Sequence, residues 1–327
     1  MRKTVHLCLS SHDEIMYRSD ADLIMGFNCL ALATLETESR LLAEGFMTTH
    51  HHCLVQTDDY KEIMHRSRYA YARYFNAKYR RIGSLGEKTF FSLEVEGLFH
   101  TTAALNYIIR QGLHHGLSTT PFGYPHCSAN AFFRKDLGKA EPPRLLPDSK
   151  RYLYLPKRRA LPADRYRMSE SGLLLREDIL DTAYVEETYV TPRNFLFQMN
   201  KLSGERDLEE QRQENSTPPV TVEAIETGVP DFDAQQLKIT EQGKVDRKRM
   251  TDIELCAIVD TQFVPWYCKR ELSASIYQLS ESQRAGICEI LWQESRQFRF
   301  RPKTQGYLSG KYVTESQLRR CLCLRKP

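Results

Sequence analysis

The order of apolar patterns in the first 116 residues is the feature that most restricts how this chain can fold. Segments with the two-residue alternation of β-strands take turns with segments whose apolar residues recur at helical spacing. The predicted strands cover residues 4–10, 43–57 and 90–99, and the predicted helices cover residues 21–42, 57–83 and 101–116. This β-α-β-α-β-α order with short connections predicts an antiparallel or mixed sheet with helices packed on it, an α+β sandwich.

The chain has 327 residues, which is more than a single hydrophobic core usually holds, so we expect several domains. The sheet domain is predicted to cover residues 1–140, and residues 141–202 form a basic, proline-rich connection with a small appendage. Residues 203–247 are acidic and polar and are predicted to form a solvated linker. Residues 248–327 are predicted to form a mainly helical C-terminal domain.

Two capping boxes mark helix starts in this C-terminal domain, at Ser280 with Gln283 and at Thr314 with Gln317. The helices that they open, 281–296 and 315–323, are predicted to lie close together. The second helix carries Arg319 and Arg320, which suits the recognition element of a helix-turn-helix. A plain packing or dimerising module is the alternative, and a homodimer is possible.

Composition excludes several classes of protein. Hydrophobic residues make up 41% of the chain and charged residues 27%, as in ordinary globular proteins. No run of about 18 apolar residues could span a bilayer, and the apolar stretch near the N-terminus is too short for an export signal. Nine cysteines without a Cys-x-x-Cys pair indicate reduced thiols, and we expect a cytoplasmic protein with no membrane partner.

Three consecutive histidines lie in the predicted strand 43–57. Because side chains alternate along a strand, His50 and His52 should share one face, about 6–7 Å apart at Cα, while His51 points to the other. Two imidazoles on one face can share a metal ion. They can equally be half-buried polar residues at a sheet edge, so a metal site requires a third ligand.

The candidate third ligand lies in the predicted helix 101–116. Tyr107 and Gln111 are four residues apart and therefore lie on the same helix face. If Gln111 completes a site with His50 and His52, the phenol of Tyr107 lies about one turn from the cation. Such a mixed nitrogen and oxygen site suits Mg²⁺ or Mn²⁺ acting on a phosphate, with Tyr107 as the nucleophile. An aromatic ring packed on the sheet is the alternative for Tyr107.

The segment from Lys61 to Phe90 carries eight Lys or Arg residues against two Glu residues. Cations interleaved with tyrosines are what single-stranded DNA binding requires. A solvated helix face is the alternative, and Tyr71, Tyr74 and Phe75 are predicted to cover the sheet. The predicted DNA-binding residues in this segment are Arg66, Arg68, Arg73, Lys78, Arg80 and Arg81.

Residues 4–135 resemble the single-tyrosine HUH transposases, and among them the REP-associated tyrosine transposases. MTTHHHCLVQ resembles their His-hydrophobic-His motif, and YIIRQGLHHGL followed by YPHCSANAFF resembles their tyrosine helix and its closing segment. YARYFNAKYRRIG is similar to the basic helix that these proteins carry between the two motifs.

The resemblance implies a ferredoxin-like catalytic domain that cuts single-stranded, hairpin-containing DNA by transesterification. His50 and His52 match the histidine ligands, Gln111 matches the polar third ligand, and Tyr107 matches the nucleophile. The products would be a 5′-phosphotyrosyl link and a free 3′-hydroxyl, with no nucleotide or organic cofactor.

The sequence departs from the family pattern at several positions. The middle HUH residue is usually apolar and is His51 here, Thr48-Thr49 replaces Pro-Asn, and Gln111-Gly112 replaces Asn-Pro. A domesticated hairpin-binding regulator without cleavage is therefore one alternative. A zinc-binding protein is another, with His50 and His52 joined by His114, His115 or Cys127.

Overall fold

The computed structural model of the protein describes residues 2–118, 120–139, 143–156, 166–200, 237–239, 245–247, 249–269, 274–300 and 306–324. It contains a four-stranded antiparallel sheet with helices packed on it and a helical C-terminal region. The α+β prediction is confirmed.

The sheet has the strand order β2-β3-β1-β4. Each neighbouring pair is antiparallel, and helices connect β1 to β2 and β3 to β4. This β-α-β-β-α-β arrangement confirms the ferredoxin-like sandwich. The elements are β1 Lys3–Ser10, α1 Asp20–Glu36, β2 Arg40–Phe46, β3 His50–Thr57, α2 Tyr60–Tyr79 and β4 Phe91–Glu94.

The single strand predicted over residues 43–57 is wrong, because the chain forms a hairpin there. Helix α1 ends at Glu36 rather than near residue 42, and β2 and β3 are joined by Met47–Thr49. The amide of Met47 donates to the carbonyl of His50 at 2.8 Å and closes the turn. The turn lacks the Gly, Pro, Asn or Asp residues that usually mark a turn. The strand pattern in the sequence therefore shows no break there, and it predicts one strand instead of two.

The predicted boundaries around the following helices also need correction. Helix α2 is capped by Asp59, whose carboxylate accepts from the amide of Glu62, and it ends at Tyr79, with Arg80 as its C-cap, rather than at Gly83. Strand β4 is shorter than predicted, because helix α3 (Gly97–Ile109) begins four residues before the expected Thr101.

Further helices follow the sheet domain. In the predicted connection and appendage, 141–202, the described residues form a 3₁₀ segment, Asp148–Tyr154, and short helices. Most of the predicted linker 203–247 lies outside the described residues. Its described part contains two short antiparallel strands, β5 and β6. These elements are α4 Gln111–His114, α5 Arg176–Ile179, α6 Thr182–Tyr189, α7 Pro192–Asn200, β5 Leu237–Ile239 and β6 Val245–Arg247.

The C-terminal region has its own apolar core and includes α8 Asp252–Ile258, α9 Val264–Tyr267, α10 Glu281–Phe300 and α11 Glu315–Cys321. Both predicted capping boxes are present, and α10 contacts α11 as predicted. The predicted domain boundaries stay a prediction. None of the helices in the described parts of the chain has the length and apolar character that a bilayer crossing requires.

Buried contacts attach this region to the sheet domain. The guanidinium of Arg18 has no exposed surface, donates to both carboxylate oxygens of Asp260 at 2.7 and 3.1 Å, and donates to the carbonyl of Cys321 at 2.8 Å. The Ser275 hydroxyl also donates to the carbonyl of Tyr79. The helical region therefore packs directly on the fold that carries the histidines.

Candidate active site

The three histidines of β3 divide between the two faces of the sheet. The ring of His50 lies 5.2 Å from the ring of His52, and the ring of His52 lies 5.2 Å from that of Tyr107 on α3. His51 faces the other side, where it stacks on Phe46 and its Nδ1 lies 2.8 Å from the Tyr17 hydroxyl. His51 is therefore separated from the site, as its position in the strand predicts.

Two glycines allow the tyrosine helix to lie close to the sheet. A Cβ at Gly45 on β2 would lie 2.7 Å from the carbonyl oxygen of Ile108 on α3. A Cβ at Gly112 would lie 2.3 Å from the Cβ of Tyr124 in the segment after α4. Any larger side chain at these positions would push α3 and α4 outward.

The helix is interrupted between Tyr107 and Gln111, although the two residues remain one turn apart. Helix α3 ends at Ile109 and α4 begins at Gln111. The side-chain nitrogen Nε2 of Gln111 donates to the carbonyl of Tyr107 at 3.3 Å. Gln111 also interacts with His50. The structure therefore brings the four predicted site residues together, from one strand and one interrupted helix.

The donor atoms in this cluster fit a small divalent cation. Nε2 of His50 and Oε1 of Gln111 are buried and, within the part of the chain that the structure describes, have no hydrogen-bond partner, while the other ring nitrogen of His50 lies 3.0 Å from the Thr49 hydroxyl. Two imidazole nitrogens and one amide oxygen are acceptable ligands for Mn²⁺ or Mg²⁺. A cation between these atoms would satisfy both unpartnered groups.

The zinc alternative finds no support in this arrangement. Across the described residues, no three His, Cys, Asp or Glu side chains are placed to hold a metal ion together. The ring of His115 lies 4.9 Å from that of His50, and the ring of His114 lies 5.3 Å from that of Tyr107. Cys127 packs with Met47 and Tyr124 in a small apolar cluster.

One histidine of the cluster, His6 on β1, was not identified from the sequence. Its Nε2 lies 3.0 Å from Nδ1 of His52, and its ring centroid lies 6.0 Å from that of Tyr107. Strand β1 pairs with β3, and Cys8 lies directly opposite His52. His6 lies two residues before Cys8 and therefore on the same face of β1. A prediction of how β1 pairs with β3 would have identified it.

Burial keeps the imidazoles of the cluster neutral. It lowers the pKa of His50 to about 4, with the nearby Gln111 acting in the opposite direction. It lowers the pKa of His6 to about 3 and that of His52 well below its usual range. Neutral imidazoles keep the lone pairs that a cation needs, and at pH 7 they add no positive charge that would repel it.

The cluster is almost fully enclosed. The exposed fractions are 1% for His50, 0% for His52 and Gln111, and 5% for Tyr107. The C-terminal region contributes to this enclosure, because the hydroxyl of Thr48 donates to the Asp252 carboxylate of α8 at 2.6 Å. A DNA phosphate can reach Tyr107 only when a covering segment moves away.

The cations of α2 are largely engaged within the protein. Arg66 pairs with Glu62 and Glu36, and Arg81 pairs with Glu14. Arg68 donates to the carbonyls of Leu85, Gly86 and Lys88. Lys78 pairs with the buried carboxylate of Asp22, and Arg80 forms the C-cap of the helix. Arg73 is exposed and lies over the exposed ring of Tyr69.

The predicted recognition helix, α11, is packed along one side. Gln317 donates to the carboxylate of Asp252 and to the carbonyl of Met250, and Leu318 is buried. Arg319 pairs with Glu315, and Arg320 donates to the Ser316 hydroxyl. Arg320 also acts electrostatically on His50. Sequence-specific DNA reading by this helix stays a prediction.

Comparisons with known proteins show a distant structural relationship. No family model matches the chain, and no curated protein matches it. One similar solved structure is described as a REP-associated tyrosine transposase bound to a REP hairpin. It shares 12% sequence identity, has a TM-score of 0.35, and covers 43% of this chain and 82% of its own. This likeness is a distant structural relationship, and nothing about function follows from it.

Proposed function

We propose that this protein is a metal-dependent, transposase-like transesterase of single-stranded, hairpin-containing DNA, with Tyr107 as the nucleophile. One observation carries the proposal. The Tyr107 ring lies 5.2 Å from the His52 ring, beside two buried donor atoms, His50 Nε2 and Gln111 Oε1, that have no hydrogen-bond partner among the described residues. A phenol next to an assembled set of metal ligands suits phosphoryl transfer.

The reaction forms one bond and breaks one bond. The phenolic oxygen of Tyr107 attacks the phosphorus atom of a DNA phosphodiester and loses its proton to solvent. The bond from phosphorus to the 3′ oxygen breaks, and that oxygen takes up a proton. The result is a 5′-phosphotyrosyl link and a free 3′-hydroxyl, so the strands can be rejoined without ATP.

His50, His52 and Gln111 would hold the cation, which we propose to be Mg²⁺ or Mn²⁺. When bound, the cation would polarise a phosphate oxygen and offset the negative charge that builds up during attack. The protein contributes the fixed geometry of the ligands, since each comes from a buried strand or helix.

Replacing Tyr107 with Phe tests the proposal. The change removes the attacking oxygen and keeps the buried ring, so we expect no detectable covalent adduct and unchanged binding of hairpin DNA. The measurement is denaturing electrophoresis of the protein with a 3′-labelled single strand from its own flanking DNA and Mn²⁺. Chelator should also remove the adduct.

Tyr152→Phe is the matched control, because Tyr152 is 69% exposed and lies outside the cluster. It should leave adduct formation at the wild-type level. An adduct that persists at wild-type yield in Tyr107→Phe would refute the nucleophile assignment. An adduct that persists in chelator, or in His50→Ala, would refute the role of the metal.

A hairpin-binding regulator is the second candidate, and the enclosure of the site favours it. Tyr107 is only 5% exposed, and a regulator would not need to admit a phosphate. The same experiment separates the two functions. Hairpin binding without any adduct in the wild-type protein, at saturating Mn²⁺, would support the regulator.

Arg73 provides a test of the DNA-binding surface. Arg73→Gln removes an exposed cation beside the exposed ring of Tyr69. We expect the affinity for single-stranded DNA to fall several-fold and the slope of log affinity against log salt to decrease by about 1. Fluorescence anisotropy at several salt concentrations measures both. Arg193→Gln, an exposed arginine on α7, is the control with the same charge change. Equal losses in the two variants would contradict a DNA-binding role for this face of α2.

A further inference from the structure

His6 is a buried residue of β1 with a specific relation to His52. Nε2 of His6 lies 3.0 Å from Nδ1 of His52, and the two rings are stacked with centroids 5.1 Å apart. Both residues have 0% exposed surface. The other ring nitrogen of His6, Nδ1, has no hydrogen-bond partner in the described ranges of the chain. The polar contact that His6 makes is therefore the hydrogen bond to His52, a proposed metal ligand.

The hydrogen bond between the two rings can be made in two ways. If Nδ1 of His52 carries the proton and donates to His6, Nε2 of His52 keeps a lone pair and can bind a cation. If His6 donates instead, Nε2 of His52 carries the proton and cannot bind one. That Nε2 lies 3.8 Å from the sulfur of Cys8, which is only a weak hydrogen-bond partner.

We propose that His6 is a positioning residue that accepts the Nδ1 proton of His52 and so holds His52 in the tautomer that binds the cation. This inference rests on the proposed metal site. Metal-binding histidines generally donate their second ring nitrogen to an acceptor, and loss of that acceptor typically weakens metal binding 10- to 100-fold. Here the acceptor is Nε2 of the His6 imidazole, 3.0 Å from Nδ1 of His52.

Two substitutions of His6 separate an acceptor role from a packing role. His6→Phe keeps a buried ring against His52 and removes the acceptor, so Mn²⁺ affinity should fall about 10- to 100-fold. His6→Gln returns an acceptor of similar reach, so affinity should remain within a few-fold of wild type. Electron paramagnetic resonance of free Mn²⁺ during titration measures affinity without any DNA. Adduct formation by His6→Phe should recover when Mn²⁺ is raised to saturation.

His51→Phe is the matched control, because His51 is equally buried in the neighbouring position of β3 but faces away from the site. It should bind Mn²⁺ like the wild type. Unchanged Mn²⁺ affinity in His6→Phe would overturn the inference. So would equal losses in His6→Gln and His6→Phe with unchanged thermal unfolding, because the acceptor would then have no effect.

The outcomes distinguish this inference from the proposed function. If the wild-type protein binds no Mn²⁺, or if His50→Ala and His52→Ala bind it as well as wild type, the proposed metal site itself fails. If those two variants lose Mn²⁺ and His6→Phe does not, the metal site stands and only the role of His6 is refuted.

Discussion

We expect the metal-free protein to lose most of its free energy of unfolding between pH 7 and pH 5.5. Six histidines of the described chain, four of them buried and two half-buried, have a lowered pKa, in each case mainly because removal from water disfavours the charged ring. Their unfolded-state pKa is about 6.5. The unfolded chain therefore binds more protons as the pH falls below 6.5, and stability decreases. The six are His6, His50, His51, His52, His114 and His115.

The size of the effect follows from the number of groups. A histidine that stays neutral in the fold and titrates normally when unfolded loses roughly 1 kcal/mol between pH 7 and pH 5.5. Six such groups lose roughly 6 kcal/mol, a large part of the 5–15 kcal/mol that stabilises a typical protein. The loss continues towards pH 4, where His50 and His51 themselves become protonated in the fold.

Urea unfolding in chelator at pH 7.5, 6.5 and 5.5, followed by circular dichroism, measures this dependence. His51→Phe should reduce the slope of the free energy of unfolding against pH by up to about 1.4 kcal/mol per pH unit, because it removes one titrating group. His65→Gln, which changes an exposed histidine, should leave the slope as in wild type. A free energy of unfolding that is equal at pH 7.5 and pH 5.5 would contradict the neutral, buried state of these rings.

Much of the fold could be predicted from the sequence, because most of its elements carry their own pattern. The alternation in β1, the apolar spacing of α1 and α2 and the capping box at Thr314 are local signals, and each gave an element close to the observed one. The hairpin of β2 and β3 carried no such signal. Its turn residues, Met47–Thr49, are not turn formers, and nearly all residues of the strands on both sides are buried, so no change of pattern marks the turn.

The candidate site was only partly predictable, for a related reason. His50 and His52 share a face because of strand geometry, and Tyr107 and Gln111 are one turn apart in sequence, so local spacing was sufficient. The contact between His6 and His52 depends on which residues of β1 and β3 are paired, and spacing along one strand does not contain that information. Ion pairs between elements, such as that of Lys78 with the buried Asp22, depend likewise on which helices pack together.

The second large effect on the free energy of unfolding is expected when Asp22 is replaced. Asp22 is a buried carboxylate in the first turn of α1. Its carboxylate is 0% exposed and accepts hydrogen bonds from the amide of Arg18 and the hydroxyls of Tyr74 and Tyr79. It also pairs with the ammonium of Lys78 at 2.6 Å. These tyrosines and this lysine belong to the basic, aromatic helix α2, so Asp22 is one point at which α2 is fixed to α1.

Asp22→Ala should lower the free energy of unfolding by about 3–5 kcal/mol, because it leaves several buried donors and one cation without their acceptor. Asp22→Asn keeps one acceptor oxygen and should lie between Asp22→Ala and wild type. Asp20→Ala is the matched control, two residues away in the same turn. Its carboxylate is 71% exposed and pairs with His126, so the loss should stay below about 1 kcal/mol. Urea unfolding at pH 7.5 compares them. If Asp20→Ala and Asp22→Ala lose equal stability, the tyrosines and Lys78 are not held by this carboxylate, and its role in joining α2 to α1 is wrong.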